Sequence, residues 1–368
     1  MKTVVLIGGG AYAPRLFALL AARLDAPIRA VLHGRDAARL AVVRAAAAQR
    51  APGATFDATT DLDRALDGAD VVIAMARIGG LAARAHDERF PTDYGLAGDE
   101  GLGPGGVANT WRTLPWMRQL GAAVRARCPR AWVLNLMAPL GTTTRALEEA
   151  GARAVGLCEL PATTRRDLGH RPGEGRYGGL NHLGWFWDLP GRPGVFGSKY
   201  EARLFGGDAS PSVRAAALGA LDTRLMQAHA QSPLTASALE LERPTPWFDL
   251  ALVPALCALV LPEHPPADLF LTARNASHLA ELAPEVAVEL EGRLSPEGLR
   301  RRAPGPLPPQ VVTRARALAE VDRLAYAAAI ERDPGGVLAA MRALPFDLTA
   351  ATCLALAQHA LTSVGDTP

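Results

Sequence analysis

Two residues far apart in the chain can offer donors to one divalent ion. Cys158 lies in Gly156-Leu157-Cys158-Glu159-Leu160-Pro161, and His182 closes Gly179-Leu180-Asn181-His182. A thiolate and a neutral imidazole suit a borderline ion that keeps open positions, and such an ion acts as a Lewis acid. Taken singly, Cys158 reads better as a small buried hydrophobe at a strand end. His182 on its own reads as a loop histidine held by hydrogen bonds. Further polar residues gather in three segments. Arg77-Ile78-Gly79-Gly80 is followed closely by Arg84 and by Asp87-Glu88; Asp99 and Glu100 lie among the glycines from Gly95 to Gly106; and Asn135 opens Asn135-Leu136-Met137-Ala138-Pro139. These segments follow expected strands, and ligands of open α/β sheets collect at strand ends.

A second chemistry is written at the start of the chain. Gly8-Gly9-Gly10-Ala11-Tyr12-Ala13 directly follows the apolar run Thr3–Ile7 and precedes a helical pattern. The spacing fits G-x-G-x-x-G/A, in which the first glycine permits a tight turn and the second lets backbone amides approach a pyrophosphate at a helix N-terminus. Gly8, Gly10, Ala11, Tyr12 and Ala13 are therefore candidate ligands of a nicotinamide dinucleotide, the other reading being a glycine-rich structural turn. The ribose-reading position departs from rule. The second strand ends Val31-Leu32-His33-Gly34-Arg35-Asp36, and an acid that would favour NAD is expected near Gly34. Arg35 can accept a 2′-phosphate, which brings NADP into range, or cap a solvated helix start, while Asp36 offers a substitute acid.

Positioning these groups falls to short β-branched runs alternating with long Ala/Leu/Arg helical patterns. The runs Thr3–Ile7, Ile28–Leu32, Val71–Ala76, Ala131–Leu136 and Ala154–Leu157 alternate with helical stretches such as Arg15–Leu24 and Asp36–Gln49. That alternation implies parallel βαβ units, with the strand Ala154–Leu157 closing the sheet at Cys158. Beyond it the pattern turns to glycine- and aromatic-rich loops around Gly178–Trp187, then to helices, with Ser210–Ala230 and Pro309–Ile330 the clearest. Glu285–Pro308 is partly β-like. The expected organisation is α/β: a Rossmann dinucleotide-binding domain over 1–160 and an α+β domain over 161–368 for substrate, metal and oligomer contacts. A chain of 368 residues that is 49% hydrophobic supports two such domains.

The 39 basic and 37 acidic residues are interspersed, which leaves no footprint for nucleic acid or a membrane surface and favours a small-molecule substrate. No signal pattern and no apolar run long enough to span a bilayer appears, so a cytoplasmic location is expected. Four widely spaced cysteines, Cys128, Cys158, Cys257 and Cys353, fit reduced thiols better than a disulfide framework.

In order, the motifs resemble those of glycoside hydrolase family 4, whose pattern runs GGGS-x-Y-T-P, R-x-GG, DE, G-Q-E-T-x-G-x-GG, R-T-x-P, N-x-T-N-P, G-L-C-N-x-P and G-x-NH. This chain matches it at Tyr12, Pro14, Arg77, Asp87-Glu88, Glu100, Gly103 to Gly106, Arg112-Thr113, Pro115, Asn135, Pro139, Cys158, Pro161, Asn181 and His182. The resemblance implies a lactate/malate dehydrogenase-like Rossmann fold and a glycosidase, of the kind that includes 6-phospho-β-glucosidases. It also implies NAD, a divalent metal, commonly Mn²⁺, held by Cys158 and His182, and a homodimer or homotetramer. In the reaction it implies, the cofactor takes hydride from sugar C3, the C2 proton becomes acidic and leaves, and the aglycone is eliminated. Water then adds and the hydride returns.

By the same resemblance the base is Tyr200, in Ser198-Lys199-Tyr200, and Glu159 stands where some members carry a leaving-group acid, with a surface carboxylate as the other reading. Arg77 falls beside the cofactor, while Arg84, Glu100, Asn135 and Asn181 fall to a sugar or sugar phosphate. Arg243 aligns with an anion-clamping arginine although Pro244 and Thr245 replace the glycines that should follow. Three departures alter the substrate contacts: Ala138 replaces an asparagine, Asp99 and Gly101 replace a glutamine and a threonine, and the stretch between His182 and Tyr200 is short. They leave open a sugar or hydroxy-acid dehydrogenase, or a catalytically impaired cofactor-binding relative.

Overall fold

A computed structural model describes residues 1–8, 10–24, 26–210, 212–261 and 263–362. Gly9, the middle glycine of the expected phosphate loop, therefore lies outside the described residues. Strands are numbered β1 Lys2–Ile7, β2 Ile28–His33, β3 Thr55–Thr59, β4 Val71–Ala74, β5 Trp132–Asn135, β6 Arg153–Leu157, β7 Arg176–Leu180, β8 Leu183–Trp187, β9 Phe196–Gly197, β10 Ala267–Arg274, β11 Ala287–Leu294 and β12 Leu299–Arg301.

The first six form the parallel order β3-β2-β1-β4-β5-β6, the strand order of a dinucleotide-binding doubly wound fold. Period-two alternation explains how β1 serves two layers at once. Val4 and Leu6 face a core built with Leu16, Phe17 and Leu20, while Val5 and Ile7 face one built with Leu114, Met117 and Leu120. Fully burying each such side chain contributes about 1.5–3 kcal/mol. Strand β3 escapes a reading by hydrophobic run because only Phe56 among its five residues is buried, as befits an edge.

The sheet does not close at Cys158 as its sequence suggests. Strand β10 pairs antiparallel with β6 through Leu271↔Leu157 and Thr272↔Gly156, and the order continues β10-β11-β7-β8-β9, with β12 on β11. The expected loops around Gly178–Trp187 are in fact the hairpin β7–β8, closed between Leu180 and Leu183 by Asn181 and His182. The halves also share core: Phe248 and the helix Val253–Val260 pack with β1, β2 and β4 in the cluster that holds Leu6 and Leu32. A second large cluster joins β8 and β11 to the helix Pro309–Glu331 and the C-terminal helices.

Candidate active site

The ends of β1, β2, β4, β5 and β6, the β7–β8 turn and parts of the helices Gly80–Arg89, Lys199–Phe205 and Arg214–Gln231 surround one cavity of about 910 Å³. At one end lies the glycine loop. Gly8 has φ +98°, and a Cβ there would meet the Ala76 backbone at 2.7 Å, so the loop needs glycine both for its turn and for its close approach to the chain after β4. Its N–H donates to the His33 carbonyl at 2.9 Å, which seats the end of β2 beside the loop. Gly10, Ala11 and Tyr12 line the cavity, and Ala13 starts the helix Ala13–Ala21. Arg35 lines the same end.

Toward the middle, charge gathers. Glu100 is gripped by Arg77 and by Arg84, whose Nη1 lies 2.9 Å from Oε1. Burial pushes the Glu100 carboxyl up, but Arg77 and Arg84 outweigh it, and the group stays below its ordinary range. Arg84 also holds Glu88 at 2.7 Å on its own helix. Arg243 stands over the rings of Trp247, 4.7 Å from the centroid, and Tyr12, at 5.5 Å. Its guanidinium is held below its usual range by burial and by the neighbouring Arg214, Arg84 and Arg77, against the pull of Tyr12. Four cationic side chains thus converge on one region of the cavity, with Glu88 and Glu100 as their carboxylate partners there.

At the far end Cys158 follows β6 and His182 occupies the β7–β8 turn with φ +63°, a left-handed conformation that aims its ring at the cavity. Asp99 and His182 sense each other electrostatically, yet burial dominates and lowers the His182 pKa, leaving a neutral imidazole. Its Nδ1 is buried without a hydrogen-bond partner. The Cys158 thiol is pushed well above its ordinary value by burial and then by Glu289 and Glu159. Among the described residues no group of three His, Cys, Asp or Glu side chains is arranged around a metal position. A thiol and an orphaned imidazole nitrogen fit an ion whose remaining positions are filled by ligand or water oxygens. Tyr200 joins the two: its ring stacks on His182 with centroids 4.3 Å apart and planes 8° from parallel, and it packs against the cluster that contains Cys158. Ser198 caps this helix through the Tyr200 and Glu201 amides and donates to the His182 carbonyl at 2.6 Å, so Tyr200 and the turn are fixed by one hydroxyl. Arg214 Nη1 lies 3.3 Å from the Tyr200 hydroxyl. Burial raises the Tyr200 phenol and Arg214 opposes it. Glu159 also faces the cavity, with Oε2 3.9 Å from the Cys158 sulfur.

Asn135 is a correction. It is fully buried, its amide donates to Thr143 and Thr144 at 2.9 Å each and its carbonyl accepts from the Met137 amide, and it does not line the cavity. Every polar atom is spent on shaping the turn after β5, so none is left for a sugar. Asp87 is likewise a brace, gripped by Arg112 through both carboxylate oxygens. Sequence reasoning missed four residues. Asn109 ties the Glu100 and Ala138 carbonyls together at 2.9 and 3.1 Å. Arg214 reaches Tyr200, and Asp222, from the same helix, lines the nucleotide end. Glu289 is wholly buried and accepts from Tyr177 at 2.6 Å and Asn181 at 2.8 Å, while Asn181 in turn hydrogen-bonds Cys158.

A parallel sheet with a glycine loop at one end of a cleft and a thiol–imidazole pair at the other defines a dinucleotide-binding protein with a metal-ready pocket. The family 4 glycosyl hydrolase model matches residues 3–171, a little under half of the chain. A probable 6-phospho-beta-glucosidase of Bacillus subtilis (strain 168) is 33% identical over 199 residues, 50% of this chain and 45% of that protein. The chain spans about half the length of the curated relatives it matches. Over its whole length the fold resembles that of the 6-phospho-beta glucosidase from Thermotoga maritima, solved with manganese, NAD+ and glucose-6-phosphate, with TM-score 0.83, 19% identity and 98% of each chain covered. It also resembles malate dehydrogenase from Plasmodium falciparum, with TM-score 0.54, 12% identity and 90% and 99% coverage.

Proposed function

We propose that this protein is a glycosidase that hydrolyses a 6-phospho-hexoside with a nicotinamide dinucleotide, a divalent ion such as Mn²⁺ and Tyr200 as base. We place it in the cytoplasm, where thiols stay reduced, as a homodimer or homotetramer. The observation that carries this reading is the stacking of Tyr200 on His182, beside Cys158, in the cavity that the Gly8–Ala13 loop also lines. When bound, the nicotinamide supplies reversible oxidation at sugar C3, and the ion supplies Lewis acidity toward the resulting ketone.

The chain's own residues do the rest. Gly8, Gly10 and the start of the helix Ala13–Ala21 hold the pyrophosphate. Cys158 and His182 are the residues that would hold the ion, and Asn181 orients Cys158. Tyr200 takes the C2 proton on its phenolate oxygen, with the Arg214 guanidinium beside that oxygen favouring the charged form. Glu159 protonates the departing aglycone oxygen as the C1–O bond breaks. Arg77, Arg84, Arg214 and Arg243, whose four positive charges Glu88 and Glu100 only partly offset, together suit the dianion of a sugar phosphate. Their setting is consistent with the glucose-6-phosphate in the Thermotoga structure.

The test is incubation with NAD⁺, Mn²⁺, a reductant and aryl hexosides with and without a 6-phosphate in deuterated water. Release of the aryl group from the phosphorylated substrates, with deuterium at C2 and no net reduced cofactor, is the expected outcome. Stoichiometric accumulation of reduced cofactor, or retention of hydrogen at C2 during aryl release, would overturn it.

A further inference from the structure

The nucleotide end of the cavity carries a charge pattern that selects among dinucleotides. The His33 carbonyl is bonded to the Gly8 amide, so whatever follows β2 lies beside the phosphate loop, where the adenosine ribose of a bound dinucleotide sits. A carboxylate at that strand end accepts from the ribose 2′-hydroxyl in NAD-binding units and repels a 2′-phosphate. Here the position is Gly34. The two acids nearby are engaged. Asp36 caps the helix Ala37–Arg50, its Oδ1 accepting from the Arg39 amide at 3.0 Å. Asp222, reaching across from the helix Arg214–Gln231, is paired with Arg39 at 2.6 Å. His33 is kept neutral chiefly by its burial. Arg35 lines the same end, is exposed, and makes no hydrogen bond or ion pair among the described residues. The surroundings thus hold one uncommitted guanidinium beside the N-terminus of a 14-residue helix, whose dipole also favours an anion.

We propose that this end of the cavity reads a 2′-phosphate, so that the protein binds NADP in preference to NAD, with Arg35 as the reading residue and Gly34 as the vacancy that admits the phosphate. The inference rests on the dinucleotide reading of the Gly8–Ala13 loop. A charge-assisted hydrogen bond of this kind corresponds to a preference of about tenfold or more.

The test is binding alone, on the full chain without sugar, by calorimetry with NAD⁺ and NADP⁺. NADP⁺ is expected to bind about tenfold more tightly or better. Arg35→Gln should lose most of that margin while its NAD⁺ affinity stays within about twofold, and Gly34→Asp should reverse the preference. Equal or tighter binding of NAD⁺ by the unaltered protein would overturn the proposal and leave the loop assignment standing, with Asp36 as the ribose reader. A parallel loss of both nucleotides in Arg35→Gln would show a merely structural arginine and also overturn it. Binding of neither nucleotide would remove the dinucleotide reading itself, and this proposal with it.

Discussion

The two ends of the cavity are made of different material. The nucleotide end is built mostly from one continuous stretch, residues 8–39, and from main-chain groups: a glycine turn, two strand ends and two helix starts. The opposite end is built from the side chains of Arg77, Arg84, Glu100, Cys158, His182, Tyr200, Arg214 and Arg243, brought together by several elements, with Glu289 buried behind them. Backbone sites depend on conformation and tolerate side-chain change. Side-chain sites depend on each partner's orientation and fail one residue at a time.

Breaking the side-chain end should have the larger effects. Tyr200→Phe keeps the ring stacked on His182 but removes the proton acceptor, so turnover should fall by about 10²–10⁴ while dinucleotide affinity stays unchanged. Isotope exchange at C2 against solvent deuterium measures this step directly, and undiminished exchange would remove Tyr200 from its role. Glu289→Gln is the next test. Glu289 holds the Asn181 amide that bonds Cys158, and second-sphere groups of this kind change metal affinity by about 10–100-fold. Manganese binding followed by paramagnetic resonance should weaken accordingly, with calorimetric dinucleotide affinity as the unmoved control.

Gly8→Ala sharpens the comparison from the other end. The added methyl meets the Ala76 backbone and forces a left-handed φ on alanine, at a cost of about 1–3 kcal/mol. Dinucleotide affinity should drop while manganese affinity persists. Loss of both together would mean that the two ends are one cooperative unit.

The smallest effect concerns stability and pH. Burial alone raises the Asp322 carboxyl to about 7, and burial, only partly offset by the Arg274 amide, raises Glu148 to about 7. The folded protein therefore keeps protons that the unfolded chain has released by about pH 4. Each group's contribution to stability consequently declines as pH rises from about 4 to about 7. Asp322→Asn should flatten that slope and raise the melting temperature at pH 8 more than at pH 5. A pH-independent shift between the variants would show that Asp322 does not titrate in this range.

The legibility of the sequence follows the same division. The glycine loop, five of the six parallel strands and the Cys158 and His182 positions could be read because each is marked by local pattern. Glu289 could not, since it lies inside a stretch read only as partly β-like, and its partners Tyr177 and Asn181 are more than a hundred residues away. Arg214 and Asp222 sit in an otherwise ordinary Ala/Leu-rich helix. Asn135 was misassigned because a motif position carries no information on which way an amide faces. The β7–β8 hairpin was hidden by its own glycines, which suggest a loop. Gly184 is there because Tyr177 lies over it so closely that a Cβ would strike its hydroxyl, and Gly179 because its φ of +152° and the Leu183 carbonyl leave no room for a side chain.

The helix Arg214–Gln231 touches both ends of the cavity. Arg214 at its first turn meets the Tyr200 hydroxyl, and Asp222, eight residues on and so about 12 Å along the axis, is tied to Arg39 beside the nucleotide. It packs against the helices Pro233–Glu240, Gly80–Arg89 and Ala37–Arg50. Mechanically it is a strut laid across the cleft. One rigid element thus carries both the partner of Arg39 and the guanidinium beside the Tyr200 hydroxyl.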